Sequence, residues 1–242
     1  MARLIGHRGA AHLAPENTLA GFRAAAACGV RTVEFDVRLS GDGLPIVLHD
    51  DKLDRTTNGR GRADRLSFAE IREYDAGSWF DERFAGEHVP SFSETLSVLE
   101  ELGLGAIVEL KPAAGQEAAT AERVVETLRD EWPEGLPAPV LSSFQAEALE
   151  TARSSAPDLA RALLVKRVPQ DWRARVEALE AVALHVDHRY LKAAEAASIR
   201  RSGLELFAYT VNEPQRAEEL FGWGVEAVFT DCPDRLMPSV GA

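Results

Sequence analysis

Residues 205–230 read Glu205-Leu206-Phe207-Ala208-Tyr209-Thr210-Val211, then a polar break, then Pro214 through Phe221, then Glu226-Ala227-Val228-Phe229-Thr230. An apolar run of strand length, a helix-length stretch and a second apolar run, joined by short connections, make one βαβ unit. The same alternation runs back along the chain. Strands are predicted over Ala106–Leu110, Val140–Ser143, Arg161–Val165 and Val182–Val186, with helices over Glu117–Asp130, Ala146–Ser155, Trp172–Leu179 and Ala193–Arg201. Nearer the start, Arg3–His7 and Thr32–Leu39 read as strands around a helix from Thr18 to Cys28 that Gly29 stops. Ser91-Phe92-Ser93-Glu94 reads as a capping box opening a further helix. That makes eight strands, each except the last followed by a helix. Repeated βα units build a parallel sheet covered by helices, and eight of them close it without an exposed edge. The expected fold is an α/β TIM (β/α)8 barrel, with residues 1–242 forming one domain.

Two features interrupt the pattern. Ser40-Gly41-Asp42-Gly43 reads as a turn followed by a short strand, Pro45–His49, that folds back as a hairpin. A tight turn centred on Gly41-Asp42 would set His49 roughly opposite Glu34. From about residue 50 to 90 the chain is polar and glycine-rich, with a helical turn around Ser67–Tyr74, and reads as an insertion after the second strand. Its aromatic residues Trp79, Phe80 and Phe84 either cover the site or anchor the insertion.

Composition narrows the function. Twenty-seven basic residues against 39 acidic ones give a net charge of −12. Non-specific binding to nucleic acid or to an anionic membrane needs a basic footprint, which this chain lacks. An anionic substrate would have to be held by a local cation cluster or a metal ion. The two cysteines, Cys28 and Cys232, are expected to be reduced. No apolar run reaches the length of a membrane span. Met-Ala-Arg-Leu-Ile-Gly-His has no leader pattern, so the cytoplasm is the expected location.

Barrel enzymes carry their sites at the C-terminal ends of the strands. In this chain those ends hold His7, Glu34 and Asp36, Glu109 and Lys111, Ser142 and Ser143, His185 and Asp187, Tyr209 and Thr210, and Thr230 and Asp231. Glu34 and Asp36 lie two residues apart on a strand and so share a face. With Glu109 they offer three oxygen ligands and no thiolate, a set suited to Mg2+ or Ca2+. His7 and His49 converge on the same rim, and imidazoles that titrate near neutrality serve as acid and base. Arg8, before a glycine that lets the chain turn, has the planar fork that grips phosphate, and Lys111 points to the same side.

His7-Arg8-Gly9, Pro15-Glu16-Asn17-Thr18, Glu34-Phe35-Asp36-Val37, Pro45-Ile46-Val47-Leu48-His49-Asp50 and Glu109-Leu110-Lys111 together resemble the glycerophosphodiester phosphodiesterase family. Leu53 through Gly59, Gly77-Ser78-Trp79-Phe80, Tyr209-Thr210-Val211-Asn212 and Thr230-Asp231-Cys232-Pro233 extend the resemblance from about Leu4 to Leu236. It implies a metal-dependent hydrolase of small glycerophosphodiesters. His7 and His49 would be the acid/base pair, Glu34, Asp36 and Glu109 the metal ligands, Arg8 a phosphate ligand and Lys111 a supporting cation. Tyr209 stands where that family often has tryptophan, which bears on how the substrate's alcohol end packs. Glu226-Ala227 stands where Asp-Gly is common. A phospholipase-type phosphodiesterase acting on lysophospholipids or phosphoinositides is the nearest alternative, and a non-catalytic phosphodiester-binding relative is another. A metal-dependent amidohydrolase would carry His-x-His after the first strand, and Gly9 stands there instead. Oligomeric state is not legible.

Overall fold

The computed structural model describes residues 3–240; Met1 and Ala2 of the N-terminal reading lie outside the described residues. Among the described residues nine strands form one sheet: β1 Leu4–His7, β2 Thr32–Leu39, β3 Pro45–Val47, β4 Gly105–Leu110, β5 Val140–Ser143, β6 Ala160–Val165, β7 Ala183–Asp187, β8 Glu205–Tyr209 and β9 Ala227–Thr230. Eight of these pair in parallel in the order β1-β2-β4-β5-β6-β7-β8-β9, and β9 returns to β1. The result is a closed TIM barrel. β3 lies outside the ring and pairs antiparallel with the upper end of β2.

Strand alternation sorts the side chains. On β2, Val33, Phe35 and Val37 point outward into the layer between sheet and helices. There Phe35 is fully buried, with its ring centroid 5.4 Å from Phe22 and 6.0 Å from Phe92. Phe22 lies on helix α1 (Leu19–Ala27), and α2 (Phe68–Arg72) lies within the insertion; Phe92 opens α3 (Phe92–Leu102). The intervening Glu34 and Asp36 therefore face the barrel interior. Inside, a lower layer of Ile5, Ile107, Val140, Ala162, Ala183, Phe207, Ala227 and Phe229 fills the bore. One inward position further along most strands the residues become polar, with His7, Glu109, Ser142, His185 and Tyr209, while Leu164 and Phe229 stay apolar; together they floor the site. Phe35→Ala is expected to cost about 3–5 kcal/mol, as for other buried phenylalanines, read as a lower urea midpoint at unchanged slope.

Local signals set the helices. Ser91 and Glu94 form the anticipated capping box, Ser91 Oγ accepting from Glu94 N at 3.1 Å and Glu94 Oε2 accepting from Ser91 N at 2.9 Å. The remaining helices are α4 Glu117–Glu131, α5 Ala146–Ser155, α6 Trp172–Leu179, α7 Ala193–Arg201, α8 Pro214–Gly222 and α9 Pro233–Val240. The last is a correction, because the sequence pattern places no helix after the final strand. Pro238 resembles a breaker in that run, whereas Pro233 sits in the first turn, where a missing N–H costs nothing. Cys28 and Cys232 are free thiols. Among the described residues no helix is long and apolar enough to cross a membrane.

The hairpin also departs from expectation. Its register pairs Val37 with Val47, Arg38 with Ile46 and Leu39 with Pro45, so the turn centres on Asp42. Ser40 Oγ donates to Asp42 Oδ1 at 2.5 Å and accepts from Leu44 N at 3.0 Å, which makes the turn one residue longer than assumed. In this register His49 does not lie opposite Glu34. β3 ends at Val47, and His49 enters from the following loop, which Arg38 holds through the carbonyls of Leu48 and His49 at 3.1 and 3.0 Å.

Candidate active site

The mouth of the barrel encloses a cavity of about 370 Å³ lined by His7, Arg8, Glu34, His49, Glu109, Lys111 and Tyr209 among others. Asp36 lies just beneath, fully buried. All eight residues singled out from the sequence thus meet at one end of the bore.

The carboxylates come first. One oxygen from each of Glu34, Asp36 and Glu109 lies within 4.8 Å of the others. All three are buried, and Asp36 Oδ1 has no hydrogen-bond partner. Lys111 Nζ forms an ion pair with Glu109 Oε1 at 3.1 Å. Burial, reinforced by Asp36 and Glu109, pushes the Glu34 carboxyl well above the usual carboxylate range. Burial and then Asp36 push Glu109 up to about 7. Burial opposes the charge on Asp36 as well, but Arg8, His49, Lys111 and the Asn17 amide outweigh it and hold that carboxyl down to about 2. Asp36 Oδ1 and Glu109 Oε1 lack hydrogen bonds, and ionising all three buried carboxylates together is costly unless a cation joins them. Donor chemistry, spacing and unsatisfied oxygens all fit a divalent ion held by oxygen ligands.

The backbone turns sharply where β1 ends. Arg8 has φ 52° and Gly9 φ 89°. A Cβ on Gly9 would come within 2.6 Å of the Gly21 carbonyl carbon, so only glycine fits. The turn aims Arg8 N at Glu34 Oε2, 3.2 Å away, and brings Arg8 Nε to 3.2 Å from Asp36 Oδ2. Non-glycine residues with positive φ are costly and cluster at functional sites. Asn17, at φ 57°, is another, and its Nδ2 donates to Asp36 Oδ2 at 2.9 Å.

Each histidine is oriented by a carboxylate. A carboxylate only accepts, so the 2.6 Å contact of His7 Nδ1 with Asp231 Oδ1 places a proton on Nδ1. Asn212 Nδ2 donates to the other Asp231 oxygen at 2.8 Å. His49 Nδ1 donates likewise to Asp50 Oδ1 at 2.6 Å, and Lys111 Nζ donates to His49 Nε2 at 3.2 Å. In both rings Nε2 is therefore the unprotonated nitrogen, and in His49 it accepts from Lys111. Burial lowers the His49 pKa, with Asp36 pulling the other way and the Arg8 and Lys111 charges adding to the fall.

Tyr209 lines the cavity with its ring, while its hydroxyl donates to the Val165 carbonyl at 2.9 Å. Phe144, which sequence reasoning missed, stands 48% exposed at the mouth, edge-on to Tyr209 at 6.0 Å. Its one sequence signal is its place directly after Ser143, at the end of a barrel strand. The insertion's aromatics do not line the cavity. Trp79, Phe80 and Phe84 pack edge to face in series, with ring centroids 5.8 and 5.7 Å apart, and Trp79 Nε1 donates to the Ala76 carbonyl. Of the two readings left open, anchoring is the one the geometry supports.

Such a rim, with buried oxygen ligands, two cations and two anchored imidazoles, can neutralise a phosphate and move protons. Known proteins point the same way. A profile of the Glycerophosphoryl diester phosphodiesterase family matches residues 7–235. A glycerophosphodiester phosphodiesterase from Caldanaerobacter subterraneus is 30% identical over 97% of this chain and 96% of its own length. One from Bacillus subtilis is 32% identical over 95% of this chain and 83% of its own. The fold superposes, with a TM-score of 0.98 and 37% identity, on a phosphodiesterase from Oleispira antarctica solved with the product sn-glycerol-3-phosphate, covering 100% of this chain and 98% of that one. By profile, by sequence and by the architecture that carries its rim, the chain belongs to the glycerophosphoryl diester phosphodiesterase family and is a hydrolase of phosphoric diesters.

Proposed function

We propose that the protein hydrolyses small, deacylated glycerophosphodiesters to glycerol phosphate and an alcohol, with a divalent metal and with His7 and His49 as the acid/base pair. The observation that carries this reading is the pair of Nδ1-anchored histidines flanking a buried carboxylate triad in one cavity. Glu34, Asp36 and Glu109 would hold the metal, either Mg2+ or Ca2+. When bound, it supplies positive charge to the non-bridging phosphate oxygens.

Arg8 and Lys111 lie on that cavity and present donors to the same oxygens, where charge grows in the transition state. One imidazole Nε2 takes the proton of the attacking hydroxyl. The other, protonated, gives its proton to the departing alkoxide, which otherwise leaves poorly. The tautomers set by Asp231 and Asp50 keep both Nε2 atoms available for this exchange. Tyr209 and Phe144 offer aromatic walls for the carbon skeleton.

A cavity of about 370 Å³ suits a glyceryl phosphate better than one carrying an acyl chain. The Oleispira relative was solved with a monoester of the kind this reaction would release. The test is a panel of glycerophosphocholine, glycerophosphoethanolamine, glycerophosphoinositol and their lysophospholipid counterparts. Higher kcat/KM for the deacylated members is expected, and preference for the acylated ones would favour the phospholipase reading.

A further inference from the structure

Arg55 belongs to the insertion, lines neither the cavity nor the open groove beside it, and yet makes four charge-assisted hydrogen bonds. Its Nη1 and Nη2 donate to Glu16 Oε2 and Oε1 at 2.7 and 2.8 Å. Its Nε and Nη2 donate to Asp50 Oδ2 and Oδ1 at 2.7 and 3.0 Å. Each carboxylate also accepts from a site residue, through an oxygen that Arg55 Nη2 shares. Glu16 Oε1 accepts from Arg8 Nη1 at 2.7 Å, and Asp50 Oδ1 accepts from His49 Nδ1 at 2.6 Å. The links form one alternating chain: Arg8, Glu16, Arg55, Asp50, His49. Glu16 sits on the loop after β1, Asp50 on the loop after β3.

We propose that Arg55 is a positioning residue: it braces the two loops that carry the phosphate-binding arginine and the second catalytic histidine, and fixes the distance and orientation between them. This rests on the reaction proposed above. The physical case is geometric. Only a planar guanidinium can fork onto two carboxylates at once, and a lysine ammonium in its place offers a point charge on a flexible stem. Without Arg55, Glu16 and Asp50 face each other as like charges. Asp50 then loses the contacts that hold its oxygen against His49 Nδ1, and the His49 ring can turn. The pairs are partly buried, with Glu16 at 12% and Asp50 at 29% side-chain exposure against 44% for Arg55. Solvent screening is therefore incomplete. The insertion, on this view, stiffens the site from behind and does not close over it.

A group that orients a catalytic residue without touching substrate should affect kcat more than KM. Arg55→Ala is expected to lower kcat for glycerophosphocholine about 10–100-fold, with KM essentially unchanged. Added guanidinium at millimolar concentration is expected to restore part of the loss in this variant and to do nothing for the wild type. Arg55→Lys is expected to remain impaired. A second readout needs no turnover. The hydrogen-bonded Nδ1 protons of His7 and His49 give far-downfield proton NMR signals, and the His49 signal is expected to vanish in Arg55→Ala while that of His7 stays. Should Arg55→Ala not fold, the same spectra of Arg55→Lys carry the test. An unchanged kcat, a raised KM at constant kcat, full rescue by lysine, or an undisturbed His49 signal would overturn the proposal. If the wild type turns over no glycerophosphodiester, the reaction proposed above fails, and the spectra still decide whether Arg55 braces His49.

Discussion

His7→Ala and His49→Ala each lose turnover of glycerophosphodiesters by about 10²–10⁴-fold, the range general acid–base catalysis supplies, while the melting temperature barely moves. Both losses follow from the same geometry. In each ring Nδ1 is tied to a carboxylate at 2.6 Å, so Nε2 is the only nitrogen left to exchange a proton. Neither side chain belongs to the packed layers of the barrel. His7 sits at the end of β1 and His49 in a loop, so their removal leaves the core intact. The two losses are expected to be strongly non-additive in the double variant, because one proton-transfer sequence needs both partners. A single-turnover assay beside a thermal melt reads both quantities. Near-normal rates in both single variants would remove the histidines from the reaction.

Metal removal is the second large effect, and it has a readout besides activity. The ion-free protein keeps three carboxylates within 4.8 Å, one of them raised well above the usual range by burial first and by its neighbours next. A carboxyl whose folded pKa is raised stabilises the fold least where it is forced to ionise. Above its ordinary pKa, Glu34 therefore costs stability until either a proton or a cation compensates it. Mg2+ or Ca2+ is expected to raise the melting temperature, growing with metal concentration as mass action requires. Exhaustive chelation is expected to abolish turnover and lower the melting temperature together. Glu34→Gln is expected to give an ion-free protein more stable than the wild type, because it removes a buried like charge, and to lose most of the metal-induced shift. Full activity after chelation, or an equal metal shift in Glu34→Gln, would contradict the assignment of the triad.

How much of this was legible in the sequence depended on the range of the interaction. Glu34 and Asp36 could be placed on one face because strand parity is local. Their burial followed from Val33, Phe35 and Val37 between and around them. The barrel was legible because the βα units after the insertion follow one another through short connections, and repetition did the rest. Four things were not legible. The hairpin register turned on a Ser40 hydroxyl that lengthens the turn by one residue, a detail no apolar pattern carries. The His7–Asp231 pair spans 224 residues, and it exists because β9 closes against β1 with Phe229 beside Ile5. Asp231 was visible at a strand end, but its partner was not. The Arg55 brace depends on where an irregular insertion lays its side chains, for which polar composition offers no rule. The aromatics there read equally as lid or anchor until their stacking distances were known.

One measurement bears most directly on the whole account. Metal-loaded protein is incubated with sn-glycero-3-phosphocholine and followed by phosphorus NMR. The account predicts that the diester resonance is replaced by that of glycerol phosphate, with choline released in equal amount. An intact diester, or cleavage on the other side of phosphorus to give glycerol and choline phosphate, would contradict it.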